Sequence, residues 1–363
     1  RLARSAPDER VEIVKALVRV YREIELDEAQ RADIEKTFLV ILDDPAPRVR
    51  RALATAIAPA ESAPRALIRG LLADNADVAE PLLRTSLLLS DDDLVGLIDS
   101  FSETQRLSVA GRPEVGPALA AALIEVAGPE CCLALLENPG ASIATSSFRR
   151  LVERHRRDAS VRSSLLERDD LPAMLRQMLV DGVSEELEAS PLVMALLSRE
   201  RTRRILSDAR DKAAVELARG CDGRSLRQHV EALHNDCRLG ATVILRAAAG
   251  GHTPLVAEAL SVLARVPERR IAALLHAPRE TALSALWSRA GLPRFVLKPF
   301  VRLLSGWARN GSVGEQDMEE ALLLCRDAVE EGSDTVRHVL TRLAHEQALG
   351  MARSETGGYF NAA

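Results

Sequence analysis

Asp44-Pro45-Ala46-Pro47-Arg48-Val49-Arg50-Arg51-Ala52-Leu53 is the stretch whose reading decides the fold. A short loop with Asp and Pro precedes a helix that starts with small and β-branched residues. The pattern returns in Asp74-Asn75-Ala76-Asp77-Val78-Ala79-Glu80-Pro81-Leu82-Leu83. Val49 to Val78 is 29 residues, and Val78 to Val109 of Arg106-Leu107-Ser108-Val109-Ala110 is 31. Ile143 of Asn138-Pro139-Gly140-Ala141-Ser142-Ile143 follows 34 residues later. A period of about 30 fits two short helices and two turns. One such hairpin cannot bury its apolar face alone, whereas stacked hairpins can.

Outward from this core the helical period persists. Val11, Val14, Leu17, Val18 and Tyr21 recur at spacings of three and four, with charged residues between them. Ser90 precedes Asp91, Asp92 and Asp93, then Leu94 and Val95. That order predicts a capped helix start, since the hydroxyl meets free N–H groups and the carboxylates suit the positive helix end. A metal site is the weaker reading of the three aspartates, because consecutive helix residues point in different directions.

The chain has 363 residues, 47% apolar and 28% charged, with net charge −5. That excludes a disordered chain. No run approaches a membrane span; the longest candidate, Val115 to Ile124, is ended by Glu125. No signal-peptide pattern is visible, and a chain that begins at Arg1 rather than Met leaves upstream residues open. Five cysteines make no disulfide framework, so a cytoplasmic location is expected. Only Lys15, Lys36, Lys212 and Lys298 are lysines among 48 basic residues. Ala, Leu, Arg and Glu dominate, and strands lack their usual β-branched runs. The expected fold is all-α, a HEAT-like α-solenoid of antiparallel helical hairpins with a distinct C-terminal helical region.

Further stretches carry a resemblance: Val49-Arg50-Arg51-Ala52-Leu53-Ala54, Asp74 with Val78-Ala79, Ala110-Gly111-Arg112-Pro113, Leu135-Leu136-Glu137-Asn138-Pro139-Gly140-Ala141, Arg168-Asp169-Asp170-Leu171-Pro172, Leu239 to Arg246 and Ala290-Gly291-Leu292-Pro293. With these the chain resembles an uncharacterised bacterial family of HEAT-like helical-repeat proteins, a domain of unknown function, over most of residues 1–310. The resemblance implies a HEAT-like fold and brings no activity or catalytic residue with it.

Four segments are expected. Residues 1–180 hold the N-terminal repeats, with a boundary at Asp181-Gly182-Val183-Ser184. Residues 181–310 form a basic repeat region after that hinge, opened by a long helix from Ser190-Pro191 to about Ala218. Residues 311–350 hold two closing helices, about 315–331 and 334–349, and residues 351–363 a frayed tail. Charge is unevenly spread: net −9 over residues 1–200, +8 over 201–300 and −4 over 301–363.

The sharpest local feature is Trp287 to Arg309, with Trp287, Phe295, Phe300 and Trp307 beside Arg289, Arg294, Lys298, Arg302 and Arg309 and no acidic residue. On a helical wheel Val296, Phe300, Leu303, Leu304 and Trp307 share one stripe and the cations the other. Pro299 is expected to kink or divide the helix. One reading is a basic face for phosphates, anionic lipid or an acidic partner. The other is an amphipathic helix whose apolar stripe is core and whose cations are solvated. Two further basic clusters, Arg149, Arg150, Arg154, Arg156, Arg157 and Arg162 around His155, and Arg199, Arg201, Arg203 and Arg204, adjoin Glu153, Asp158 and Glu200. Those carboxylates make internal pairing an equal expectation.

Cys221, His229, His234 and Cys237 are metal-ligating types in an uncommon spacing, and the two histidines lie about 140° apart on one helix, so no metal is expected. Cys131-Cys132 reads as two small core residues. No phosphate-binding glycine loop, metalloprotease motif or nucleophile elbow is present. The leading expectation is therefore a non-enzymatic scaffold that binds another protein, without a cofactor. Nucleic-acid or other polyanion binding through residues 201–309 is the first alternative, and a cryptic enzyme on a HEAT-like fold the second.

Overall fold

The computed structural model describes residues 6–276, 279–326 and 332–360. Among these it is all helical: 22 α-helices, a short 3₁₀ turn and one isolated parallel bridge between Val115 and Ala141. No helix among the described residues is long and apolar enough to cross a membrane. The chain divides into two compact units, Arg1–Leu171 and Pro172–Ala363.

The first unit holds α1 (Pro7–Glu23), α2 (Glu28–Leu42), α3 (Pro47–Ile57), α4 (Arg65–Leu72), α5 (Ala76–Thr85), α6 (Asp91–Leu97), α7 (Glu103–Ala110), α8 (Pro117–Val126), α9 (Pro129–Glu137), α10 (Thr145–His155) and α11 (Ala159–Glu167). The helices pack alternately. Each odd-numbered helix from α1 to α9 packs on the next odd-numbered one, while α2 packs on α4, α6 on α8 and α8 on α10. Val49, Val78 and Val109 are fully buried on α3, α5 and α7, so the 30-residue period of the sequence marks one row of helices. Ile143 breaks that equivalence. It lies in the loop before α10, in the other row.

Helix starts follow cap chemistry. Asp27, Ser90 and Ser102 form capping boxes with Gln30, Asp93 and Gln105. Neighbouring carboxylates reach forward: Asp91 accepts from the Gly116 N–H at 2.8 Å and Glu103 from the Gly128 N–H at 2.6 Å. The three aspartates at the start of α6 thus serve that helix and the start of α8.

Successive loops are clasped to each other by arginine and asparagine. Arg10 pairs with Asp44 at 2.8 Å, and Arg50 grips Asp74 through two bonds of 2.5 and 2.9 Å. That guanidinium holds the Asp74 carboxyl below its ordinary range. Arg112 donates to the carbonyls of Leu83, Ser86 and Leu89. Asn138 donates to those of Ala110 and Arg112 and accepts from the Gly140 N–H. Arg168 donates to Leu136, Asn138 and Ala141. Among these partners, the Leu83, Ala110 and Leu136 carbonyls are ones that α5, α7 and α9 leave unpaired at their C-terminal ends.

The second unit holds α12 (Ala173–Ala189), α13 (Pro191–Leu196), α14 (Arg199–Arg219), α15 (Gly223–Asn235), α16 (Ala241–Ala249), α17 (Thr253–Ala264), α18 (Glu268–His276), α19 (Glu280–Arg289), α20 (Arg294–Asn310), α21 (Glu315–Arg326) and α22 (Ser333–Phe360). α16 is central, packing on α14, α17, α20 and α22. Leu245, Val256, Leu260, Trp287, Phe300 and Leu303 fill the core around it.

Local structure departs from expectation at several points. Asp181–Ser184, expected as a boundary, is the middle of α12, where Gly182 and Ser184 are buried and the Ser184 hydroxyl donates to the Val180 carbonyl at 2.9 Å. The two compact units adjoin in sequence between Leu171 and Pro172. The long helix expected from Ser190 is two helices, because Leu197 is extended and Ser198 caps α14. Of the two outcomes expected at Pro299, division does not occur: α20 continues through it, with Pro299 buried. The two closing helices are present as α21 and α22, residues 327–331 between them lie outside the described residues, and the backbone of α22 runs to Phe360 across much of the 351–363 segment.

Candidate functional site

α20 separates its two faces cleanly. Val296, Phe300 and Leu303 are fully buried and Leu304 nearly so. Trp287 of α19 lies against Phe300 with ring centroids 4.7 Å apart, and its indole N–H donates to the Pro293 carbonyl at 2.8 Å. Trp287 is therefore core. Trp307 is half-buried, packs over Gly251 so closely that a Cβ there would collide with its ring, and donates to the Ala249 carbonyl at 3.4 Å. The aromatics of this segment hold helices together, as the amphipathic-helix reading expects.

The opposite face carries the cations, and most of them are engaged. Arg289 donates to the Ala264 carbonyl at 2.7 Å. Arg302 pairs with Asp317 at 2.7 Å and Glu320 at 2.6 Å, and Arg309 with Asp317 at 2.7 Å. Those carboxylates belong to α21, so Arg302 and Arg309 are balanced within the same acidic 301–363 segment that holds them. Arg294 and Lys298 are exposed and have no ion-pair partner among the described residues. Both line a groove of about 740 Å³ between α19, α20 and α21, together with Glu280, Leu283, Leu297, Val301, Arg302 and Leu324.

The other two clusters are also largely engaged. Arg150 grips both oxygens of Glu125 at 3.0 Å. Arg154 donates to the carbonyls of Ile124 and Ala127, and Arg162 to that of Arg156. Arg203 pairs with Glu188 at 2.7 Å and Arg204 with Glu200 one turn away. Arg149 and Arg201 are exposed, with no ion-pair partner among the described residues. The 149–162 cluster lies in the first unit; the other two lie in the second, on α14 and from α19 into α20.

The Cys–His set is dispersed. His229 is buried, His234 and Cys237 are exposed, and the Cys221 thiol donates to the Leu217 carbonyl. No group of three His, Cys, Asp or Glu among the described residues is placed to hold a metal. Burial pushes the Cys131 and Cys132 thiols up to about 12 and about 11. They are protonated core residues, although the Cys132 sulfur lies 3.8 Å from the His155 ring.

Sequence reasoning missed a buried ionic network beneath a second cleft. Arg246 of α16 pairs with Asp208 of α14 and with Glu346 of α22 at 3.5 Å, Arg342 reaches Asp208 at 3.3 Å, and Lys212 reaches Glu346 at 3.2 Å. The cleft, about 340 Å³, is bordered by Arg246, Glu346, Glu216 and Trp307. Its two carboxylates are already ion-paired, Glu346 as above and Glu216 with Arg219 at 3.7 Å. The signal was available: Arg246 is the sole charge in the apolar run Ala241–Ala249.

Residues 78–338 match the family described as "Uncharacterised protein conserved in bacteria (DUF2336)". The chain belongs to this family. The DUF2336 match runs from α5 into α22 and so takes in part of the first unit, the loop clasps at Arg112, Asn138 and Arg168, and the α19–α21 groove. Asp44–Leu53, the stretch that decides the fold, precedes it. No curated protein and no solved structure matches the chain.

Proposed function

We propose that this protein is a non-enzymatic, HEAT-like helical scaffold of the cytoplasm, and that the α19–α21 groove binds another protein through a segment that is both acidic and apolar. The solenoid reading rests on the alternate packing of α1 to α11, which stacked hairpins produce. The five thiols are all free, in keeping with a reducing compartment. One observation carries the binding site. Arg294 and Lys298 stand one helical turn apart, exposed and without ion-pair partners among the described residues, beside Leu297 and Val301 at the same spacing. A helix with carboxylates and aliphatic side chains three and four residues apart complements that face.

Polyanion binding through residues 201–309 draws less support. A phosphate backbone is held by many unengaged cations, whereas within Trp287–Arg309 three of the five cations, Arg289, Arg302 and Arg309, are bound to carbonyls and carboxylates of the protein itself. The enzyme alternative draws least, since the carboxylates of the Trp307 cleft are neutralised by Lys212, Arg246 and Arg219.

Selection of helical peptides from a random displayed library on the full chain tests the reading, with counter-selection on R294E/K298E. Acidic, apolar-periodic peptides that bind only the unmodified chain are expected. Enrichment of peptides that bind both equally, or tighter binding of duplex DNA or RNA than of any peptide, overturns it.

A further inference from the structure

The α19–α21 groove has its chemical counterpart on the same hairpin. α20 and α21 are antiparallel, joined by residues 311–314 and packed against each other. The outward face of α21 carries Glu315, Glu319 and Leu323 one turn apart, all exposed, Leu323 at 59%. Leu324 beside it is 44% exposed and already lines the groove. Neither Glu315 nor Glu319 has an ion-pair or hydrogen-bond partner among the described residues, unlike Asp317 and Glu320, which Arg302 holds. α21 therefore presents free carboxylates and aliphatic side chains at helical spacing. That face complements Arg294, Lys298, Leu297 and Val301.

Within one chain α21 is a wall of the groove and cannot lie in it, so a second copy must supply the face. The register of the hairpin allows this. Arg302 pairs with both Asp317 and Glu320, which places it level with the turn between them on α21. Counted at about 1.5 Å per residue, Lys298 and Arg294 lie about 6 and about 12 Å from that level toward the start of α20, Glu319 lies close to it, and Glu315 lies about 5 Å the other way. A two-fold axis across the hairpin, about 3 Å from the Arg302 level toward Lys298, sets Arg294 level with Glu315 of the second copy and Lys298 level with its Glu319. Glu280, which also lines the groove, and Arg326, exposed at the end of the α21 stripe, are a further opposite pair. We propose that the groove's occupant is the α21 face of a second copy of this chain, in a symmetric dimer with Leu323 and Leu324 at its centre. The proposal rests on the groove being a site for an acidic, apolar helix and names that helix.

Sedimentation and light scattering of the full chain across micromolar concentrations test this. The unmodified chain is expected to be a dimer. L323D is expected to weaken association by about tenfold or more, with unchanged helical content because Leu323 is exposed. R294E/K298E and E315R/E319R are each expected to be monomeric alone and to form a one-to-one complex when mixed, since each groove then meets an α21 face of opposite charge. A dimer that survives L323D and both charge variants overturns the proposal, as do charge variants that stay apart on mixing. A monomeric unmodified chain overturns it too, and the acidic peptides recovered by selection then show how far the failure reaches. If they bind the monomer but not R294E/K298E, the groove stands as a site for another protein. If none binds, the groove falls as a binding site together with the dimer.

Discussion

Arg246 of α16 and Asp208 of α14 form an ion pair in which both side chains are almost wholly removed from solvent, at 4% and 3% exposure. Arg342 and Glu346 of α22 close the network from the other side. It ties three helices of the second unit together beneath the Trp307 cleft.

Arg246→Ala leaves Asp208 charged and buried with only the half-exposed Arg342 beside it, and is expected to cost about 3–5 kcal/mol in urea unfolding. The double variant Asp208→Leu with Arg246→Met removes both charges and is expected to recover most of that loss. A single variant of unchanged stability contradicts the structural role.

Gly251 combines two constraints. Its φ is +70°, which side-chain-bearing residues rarely adopt, and the Trp307 ring occupies the space a Cβ would need. Gly251→Ala is expected to destabilise by about 2–4 kcal/mol, and Trp307 fluorescence is expected to shift as the indole is displaced. Gly291, at a similar φ of +69° with open space around it, is the control, and there alanine costs only the backbone strain.

Asn138 holds the Ala110 and Arg112 carbonyls with one amide nitrogen, at 2.8 and 2.7 Å. Asn138→Ala strands both, along with the Gly140 N–H, and is expected to cost about 1–3 kcal/mol. Hydrogen exchange is expected to rise first at residues 110–116 and 138–144. Exchange that rises uniformly speaks against a local clasp.

His229 sets an acid limit. Its Nε2 donates to the Ala214 carbonyl at 3.0 Å, so Nδ1 carries the bare lone pair, and Nδ1 has no partner among the described residues. Burial lowers its pKa from 6.5. The unfolded chain therefore binds the proton more readily than the folded one. Stability from this group is complete above about pH 6.5 and declines as pH falls toward the lowered folded value. His252 is lowered in the same direction by burial, and its Nδ1 accepts the cap bond from the Leu255 N–H. Between pH 7 and 5, His229→Leu is expected to show a stability slope shallower by up to about 1.4 kcal/mol per pH unit, whatever its stability at pH 7. Parallel slopes contradict the assignment. Asp211 works in the opposite sense, because burial raises its pKa from 3.8. Asp211→Asn is expected to be neutral or stabilising at pH 7.

The fold was legible where local chemistry dictates it. Val49, Val78 and Val109 recur with the spacing of one helix row, and Ser90 before three aspartates announces the start of α6. Legibility failed where tertiary contacts override local signals. Asp181–Ser184 has the composition of a turn, yet burial against α14 keeps it helical. The site divided in the same way. That the α20 stripe is core followed from periodicity, whereas which cations stay unengaged depends on α21 carboxylates more than ten residues away, Asp317 and Glu320, and no spacing rule links them to Arg302.

The most direct test of the binding claim is a titration of the full chain with an acidic, apolar-periodic helical peptide recovered by selection. R294E/K298E is expected to bind it at least about tenfold more weakly and to bind instead the same peptide with its carboxylates replaced by lysines. Equal affinity of the unmodified and charge-reversed chains for the acidic peptide would contradict the assignment of the α19–α21 groove.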